Sequence, residues 1–435
     1  MRNGTVATAL CTLLLAGVAH APARAQVLRC DDRVNARCTE VARIAQSPAV
    51  VRAMRFIEQQ NGVARSELIA LTEIPAPPFG ETARANAFAD LLRAAGADSV
   101  AIDSIGNVVA VRNGTSRARA VALAGHLDTV FPEGTDVTVR ERGDTLFAPG
   151  IGDDTRGLIV VLHVLRALAE AEIRTEADLL FIGTVGEEGL GDLRGVKYLF
   201  REGARPIDAF IAIDGGSDDG ITNEALGSRR YRVTFSGPGG HSWGAFGTGN
   251  PAHALGRAIL MFDTAAARFT AAGERTSYNV GRIGGGTSVN SIPFEAWAEV
   301  DMRSQSQSRL IAIDSIFRAT MQQALTAQNA MIRTGEPLTI SADLVGDRPS
   351  GVTRPGTPLL DRASAVTLWT GVQPRLGISS TDSNTPISLG IPAITIGRGG
   401  DGGQTHAPGE WWLDRDSYRA VQRALLIALA EAGYN

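Results

Sequence analysis

The sequence predicts an α/β fold in two parts, a central sheet domain interrupted by a smaller βαββαβ unit. Three features point to it. Apolar runs of strand length alternate with helical stretches. Side chains of metal-ligating type (His126, Asp153, Glu188, Asp214 and His406) lie past such runs. Between about Leu226 and Gly346 the element order changes to strand, helix, strand, strand, helix, strand, the ferredoxin-like order.

The N-terminus reads as an export signal over residues 1–25. Arg2 supplies the positive end, Val6 to Val18 is apolar, and Ala23-Arg24-Ala25 is a small-x-small cleavage site. The competing reading, an uncleaved anchor, needs a longer apolar stretch. Export implies a periplasmic or secreted product, with no stable membrane insertion once the signal is gone. Cys30 and Cys38 then either close a small disulfide loop or stay as free thiols in a terminal arm. The 435 residues, 44% hydrophobic and 20% charged, suit a globular protein of two domains. A net charge of -4 and the lack of a basic cluster exclude a nucleic-acid partner.

In chain order, a helical region runs from about Pro48 to Thr72, and Pro75-Ala76-Pro77-Pro78 ends it. Glu81 to Ala95 is the next helix, with Phe88, Leu91 and Leu92 at helical spacing. Strands follow near Val100 to Asp103 and Val108 to Val111. Ala120 to Ala124 is a strand that delivers His126, and Gly157 to Ala169, apolar nearly all round, is a buried helix. Leu179 to Val185 delivers Glu187 and Glu188, Ala209 to Ile213 delivers Asp214, and Ala393 to Ile396 leads through a Gly-rich loop to His406. The inserted unit comprises strand Tyr231 to Phe235, helix Pro251 to Phe269, strands Ser277 to Ile283 and Ala296 to Arg303, helix Leu310 to Thr326 and strand Leu338 to Leu344.

Ligand sites in open α/β sheets form at the carboxyl ends of strands, where these side chains fall. Asp128, two residues past His126 on extended chain, can reach back to the imidazole. Asp153 has two oxygens and can bridge two cations; an N-cap for the following helix is the competing reading, strongest for Asp154 or Thr155. Adjacent Glu187 and Glu188 repel unless a cation neutralises one. Glu188 then binds metal, and Glu187 takes a proton from water that the metal acidifies. Asp214 reads equally well as a strand-end turn residue. Serine-hydrolase and gluzincin readings fail, since neither Gly-x-Ser-x-Gly nor His-Glu-x-x-His occurs.

The His-x-Asp, Gly-x-Gly-Asp-Asp, Glu-Glu-Gly and Thr-His blocks, in this order, resemble the dinuclear-zinc exopeptidase family. That family includes bacterial glutamate carboxypeptidase, peptidase T, succinyl-diaminopimelate desuccinylase and aminoacylase, and the resemblance spans about Thr72 to Pro408. It implies a zinc-exopeptidase catalytic domain with a central mixed sheet (40–225 and 347–435) and an inserted lid and dimerisation domain (226–346). It implies two zinc ions, with cobalt or manganese as alternatives. One would sit on His126 and Asp214, the other on Glu188 and His406, and Asp153 would bridge them. Glu187 would be the general base, Asp128 the partner behind His126, and a cis peptide would follow Asp153.

In the insertion, Gly237-Pro238-Gly239-Gly240-His241-Ser242 resembles the lid motif, whose His stabilises an oxyanion, often across a dimer interface. A surface-loop His241 is the alternative. Asn290, in Gly284 to Pro293, would hydrogen-bond substrate, and Arg303 would pair with a substrate carboxylate. A solvated strand-end charge is the plainer reading of Arg303. Thr155-Arg156 departs from the family's usual wording. The activity implied is hydrolysis of terminal amide bonds of small peptides. The rivals are an aminoacylase-like deacylase of N-acyl amino acids and a non-catalytic peptide- or metal-binding protein.

Overall fold

A nine-stranded sheet is the scaffold, in the order Ser99–Ile102, Val108–Arg112, Asp178–Thr184, Ala120–His126, Ala209–Gly215, Ala393–Gly397, Gly220–Ala225, Gly351–Val352, with Arg375–Ser379 pairing alongside Gly220–Ala225. The computed structural model describes residues 32–434. The expected signal segment 1–25 and Cys30 lie outside the described residues, and Cys38 is disulfide-bonded.

Ala120–His126 runs parallel to Asp178–Thr184 on one side and to Ala209–Gly215 on the other, and Ala393–Gly397 continues the parallel set. These strands are apolar on both faces because both are covered. Val121, Leu123, Phe181, Ile211 and Ile394 join one core with helices Pro48–Gln59, Gly157–Glu170, Pro358–Trp369 and Tyr418–Ala432. Their alternates Ala122, Ala124, Leu180, Ile182, Phe210 and Ala212 join a second core on the opposite face. The antiparallel neighbours Val108–Arg112 and Gly220–Ala225 make the sheet mixed, as expected. The chain leaves Ala120–His126, forms a strand on one side of it and then one on the other. That reversal opens a crevice at the carboxyl ends.

The second unit is a four-stranded antiparallel sheet in the order Thr276–Gly285, Glu295–Ser304, Gly227–Ser236, Thr339–Arg348. Helices Pro251–Thr270 and Gln307–Asn329 pack on one face around Tyr231, Phe235, Phe262, Val300 and Phe317. Strict alternation of buried and half-buried residues along Glu295–Ser304 marks a sheet covered on one side only. Asn250 starts the first helix by accepting the N–H groups of Ala252 and His253, with Pro251 at its first position.

Several elements differ from expectation. The helical region splits at Gln60 into Pro48–Gln59 and Asn61–Thr72. Residues before it, which one reading left as a loose arm, form helix Asp32–Gln46, whose Val41, Ile44 and Ala45 enter the main core. The last strand of the insertion runs to Arg348, past the expected boundary at 346. The Gly-rich loop before His406 contains strand Asp401–Gly403, which pairs with Trp411–Leu413 in a small separate sheet. Among the described residues no helix is long and apolar enough to cross a membrane.

Candidate metal centre

His126 is the last residue of its strand and is 1% exposed. Its Nδ1 donates to the Asp128 carbonyl at 2.9 Å, which leaves Nε2 facing the crevice, 3.2 Å from Asp153 Oδ1. Asp153 lies in the turn Ile151–Arg156 before helix Gly157–Glu170, outside helical geometry, and the Asp153–Asp154 peptide is cis, as the resemblance implied. Its other oxygen, Oδ2, is 3.2 Å from His406 Nε2, which in turn is 2.8 Å from Glu188 Oε1. Asp214 Oδ1 is 3.9 Å from His126 Nε2. Three donor groups result: His126–Asp153–Asp214 and Asp153–Glu188–His406, which share Asp153, and His126–Glu187–Glu188. The N-cap alternative is not realised: that helix has no side-chain cap, and Asp154 instead accepts the His126 N–H at 3.0 Å.

The Asp128 carboxylate lies behind the imidazole, but not as its hydrogen-bond partner. Its Oδ1 is 3.7 Å from Nδ1, and the carbonyl of the same residue makes the closer contact. The carboxylate accepts the backbone N–H groups of Glu187 at 3.0 Å and Glu188 at 2.8 Å. It thereby fixes the turn that presents both glutamates.

Charge accounts for the protonation pattern. Burial lowers the His126 pKa, but its bond to Asp153 and the charges of Asp154, Asp214 and Asp128 hold it well above the usual value. Burial, then Asp153 and Asp154, raise Asp214 well above the carboxylate range. Burial pushes Asp154 up to about 8, and one of its buried oxygens has no hydrogen-bond partner. His406, bonded to Asp153 and Glu188, is pushed up to about 10. The oxygen and imidazole donor set fits divalent zinc, cobalt or manganese. A bound cation would replace protons on this cluster. Zinc uptake near neutral pH should therefore release protons. Affinity should climb with pH until His406 titrates near 10, because His406 is protonated below that point. Repeating zinc calorimetry in buffers of different ionisation heat measures the release; none would contradict the assignment of His406.

Sequence reasoning missed three neighbours. Arg348, 4% exposed at the end of the insertion's last strand, donates to Glu187 Oε1 at 3.0 Å, to the Glu187 carbonyl and to Ser380. Glu410 accepts the N–H groups of Gly150, Gly152 and Asp153 at 2.9 to 3.0 Å. Arg398 reaches Asp153 and Asp214. Each lies near a loop or strand end, with no local pattern to mark it.

A cavity of about 640 Å³ opens over the centre, lined by Asp153, Glu187, Glu188, Asp214 and His406, and by Arg230 and Arg303 from the second unit. Asp301 holds both arginines, at 3.0 Å from Arg230 and 2.7 Å from Arg303. His241 and Asn290 are not brought there. His241 is exposed, pairs in strand register with Ser291, and accepts the N–H groups of Trp243 and Gly244 at 3.3 Å. Asn290 accepts the Ser242 N–H on its carbonyl at 2.9 Å. The reason is strand length. The cavity residue Arg230 is near the start of the ten-residue strand Gly227–Ser236, whose far end is about 20 Å further along at the usual rise, and His241 lies beyond that end.

The pattern of peptidase family M20/M25/M40 matches residues 122–430. A putative succinyl-diaminopimelate desuccinylase of Mycobacterium tuberculosis is 28% identical over 334 residues, covering 76% of this chain and 88% of its own length. The succinyl-diaminopimelate desuccinylase of Corynebacterium glutamicum is 28% identical over 54% of this chain; the match spans 64% of that relative, just under two thirds. The solved aminopeptidase PepT from Bacillus cereus shares the fold, with a TM-score of 0.66 and 20% identity over 84% of this chain and 96% of its own.

Proposed function

This chain belongs to peptidase family M20/M25/M40 and is a metal-dependent peptidase or amidohydrolase, and we propose that it hydrolyses terminal amide bonds of small peptides with two zinc ions held across Asp153. The observation that carries this reading is the pair of ligand groups sharing that one carboxylate. His126 and Asp214 would hold one ion, Glu188 and His406 the other. Bound there, the ions would supply charge stabilisation and a water acidic enough to be deprotonated near neutral pH.

Glu187 is the proton carrier. It faces the cavity, and its side chain is held by Arg348 rather than by a histidine or aspartate ligand. It would take the proton of the attacking water and pass it to the leaving amine. Asp128, by gripping two successive N–H groups, keeps Glu187 and Glu188 in fixed relation. The long path from Arg230 to His241 supports an assembly in which His241 and Asn290 serve the site of a second copy, through a homodimer of the inserted unit. Export, on the signal-type segment, completes the proposal.

Arg303 beside the centre favours a substrate with a free carboxylate. N-acyl amino acids carry one too, so aminoacylase-like deacylation is the second reading. Arg303→Ala should raise KM for carboxylate substrates by about tenfold, the scale of one charge-assisted bond, and leave amidated analogues unchanged. A panel of dipeptides, N-acyl amino acids and their amides, run on zinc-loaded protein, tests both readings. Zinc uptake without hydrolysis of any amide would point to a binding protein instead.

A further inference from the structure

One cation already sits among the carboxylates of the centre. Arg398 Nη1 lies 3.2 Å from Asp153 Oδ1, 3.4 Å from Asp214 Oδ1 and 3.6 Å from Asp154 Oδ1. Its side chain is 12% exposed, and its backbone N–H is tied to the Gly215 carbonyl at 3.0 Å. The wall beside it is backbone: a Cβ on Gly152 would come within 3.1 Å of Glu410 and 3.5 Å of Arg398. Glu410 in turn holds the N–H groups of Gly152 and Asp153. The guanidinium is therefore seated in a built slot at the end of strand Ala393–Gly397.

This placement is lopsided. Arg398 donates to Asp153 and Asp214, which with His126 form one ligand group. In the other group, among the described residues, Glu188 is ion-paired to His406 alone. A fixed positive charge beside a divalent ion repels it. Arg398 touches Asp214 and the Oδ1 of Asp153 that faces His126, not the Oδ2 that faces His406, so removing the guanidinium would change the first affinity more than the second.

We infer that Arg398 is a built-in counterion that makes the two metal positions unequal: the His126–Asp153–Asp214 position is the weaker, and the Asp153–Glu188–His406 position fills first. The inference rests on the two-metal reading above. Its consequence is that the protein passes through a one-metal form as free zinc rises. Arg398 also keeps the carboxylates paired in the ion-free protein, so folding does not wait on metal.

Full-length protein, stripped with chelator, is titrated with Zn2+ alone, and bound zinc is counted by equilibrium dialysis. Wild type should show two separable steps. Arg398→Gln should tighten the weaker step by roughly tenfold, the scale of one like-charge contact, and move the tighter step less. Arg398→Lys, which keeps the charge, should preserve the gap. Asp214→Ala should delete the weaker step and His406→Ala the tighter one. Melting of the chelated protein gives a second readout, in which Arg398→Gln should melt lower than wild type and recover with zinc. Two equal steps in wild type, an unchanged or weakened step in Arg398→Gln, or loss of the tighter step in Asp214→Ala would overturn the role of Arg398. Wild-type protein that takes up no second zinc would instead overturn the two-metal reading itself.

Discussion

Glu187→Gln should lower kcat by roughly a hundred- to ten-thousandfold, the usual contribution of a positioned general base, while two zinc ions per chain remain bound. The substitution is nearly isosteric. Its amide oxygen can still accept from Arg348, which now donates to Glu187 Oε1 at 3.0 Å, so the turn stays in place. The amide cannot accept a proton from water. Zinc content decides the interpretation, because Glu187 also falls within a third group of donors with His126 and Glu188. Loss of one zinc together with activity would make Glu187 a ligand. Near-normal turnover with both ions retained would remove it from the chemistry altogether.

Arg348 connects that residue to the rest of the molecule. It is the last residue of strand Thr339–Arg348, which returns the chain from the second unit to the main sheet. Its guanidinium is buried against Glu187 and Ser380. Burial, with the charges of Glu188 and Asp214, drives Glu187 well above the carboxylate range, and the charges of Arg348 and His126 oppose that rise. A base near the reaction pH needs both tendencies. The position of the second unit and the state of the base are thus joined through one ion pair.

The residues that could be read from sequence share a physical signature. His126 and Asp214 lie at the ends of strands buried on both faces, and Glu187 and Glu188 follow such a strand, so a polar side chain there stands out against a continuous apolar run. The ferredoxin-like unit was readable because its helices are long and its strands alternate. Strand Gly220–Ala225 escaped notice because Ile221 is its only bulky apolar residue, so no apolar run marks it. Arg398 and Glu410 escaped for another reason. Each is a single charged residue in a Gly-rich stretch, and only the tertiary fold carries it to Asp153. Asp128 was read as reaching the imidazole, and its carboxylate does lie 3.7 Å from Nδ1, but the turn after His126 brings the carbonyl closer to the ring and gives the carboxylate's hydrogen bonds to the Glu187 turn. His241 could be recognised as a motif, and its distance from the centre follows from strand length, which the motif does not encode.

Asp153→Ala should strip both zinc ions and reduce turnover to background, a larger effect than loss of any other ligand. Each remaining ligand belongs to one of the two zinc groups, whereas Asp153 points Oδ1 at His126 and Oδ2 at His406. Removing it leaves each position with two protein donors, below the three that catalytic zinc sites ordinarily keep. The comparison with His406→Ala is the sharper test, since that variant should keep one ion on His126, Asp153 and Asp214. The Ala variant should still fold. Arg398 keeps Asp214 at 3.4 Å and Asp154 at 3.6 Å, so no buried cation is left alone, and the cores on both sheet faces are untouched. Zinc counted after dialysis, with melting to verify folding, distinguishes the cases. A folded Asp153→Ala protein that retained two zinc ions would mean that the two groups do not share this carboxylate, and the bridged centre would be wrong.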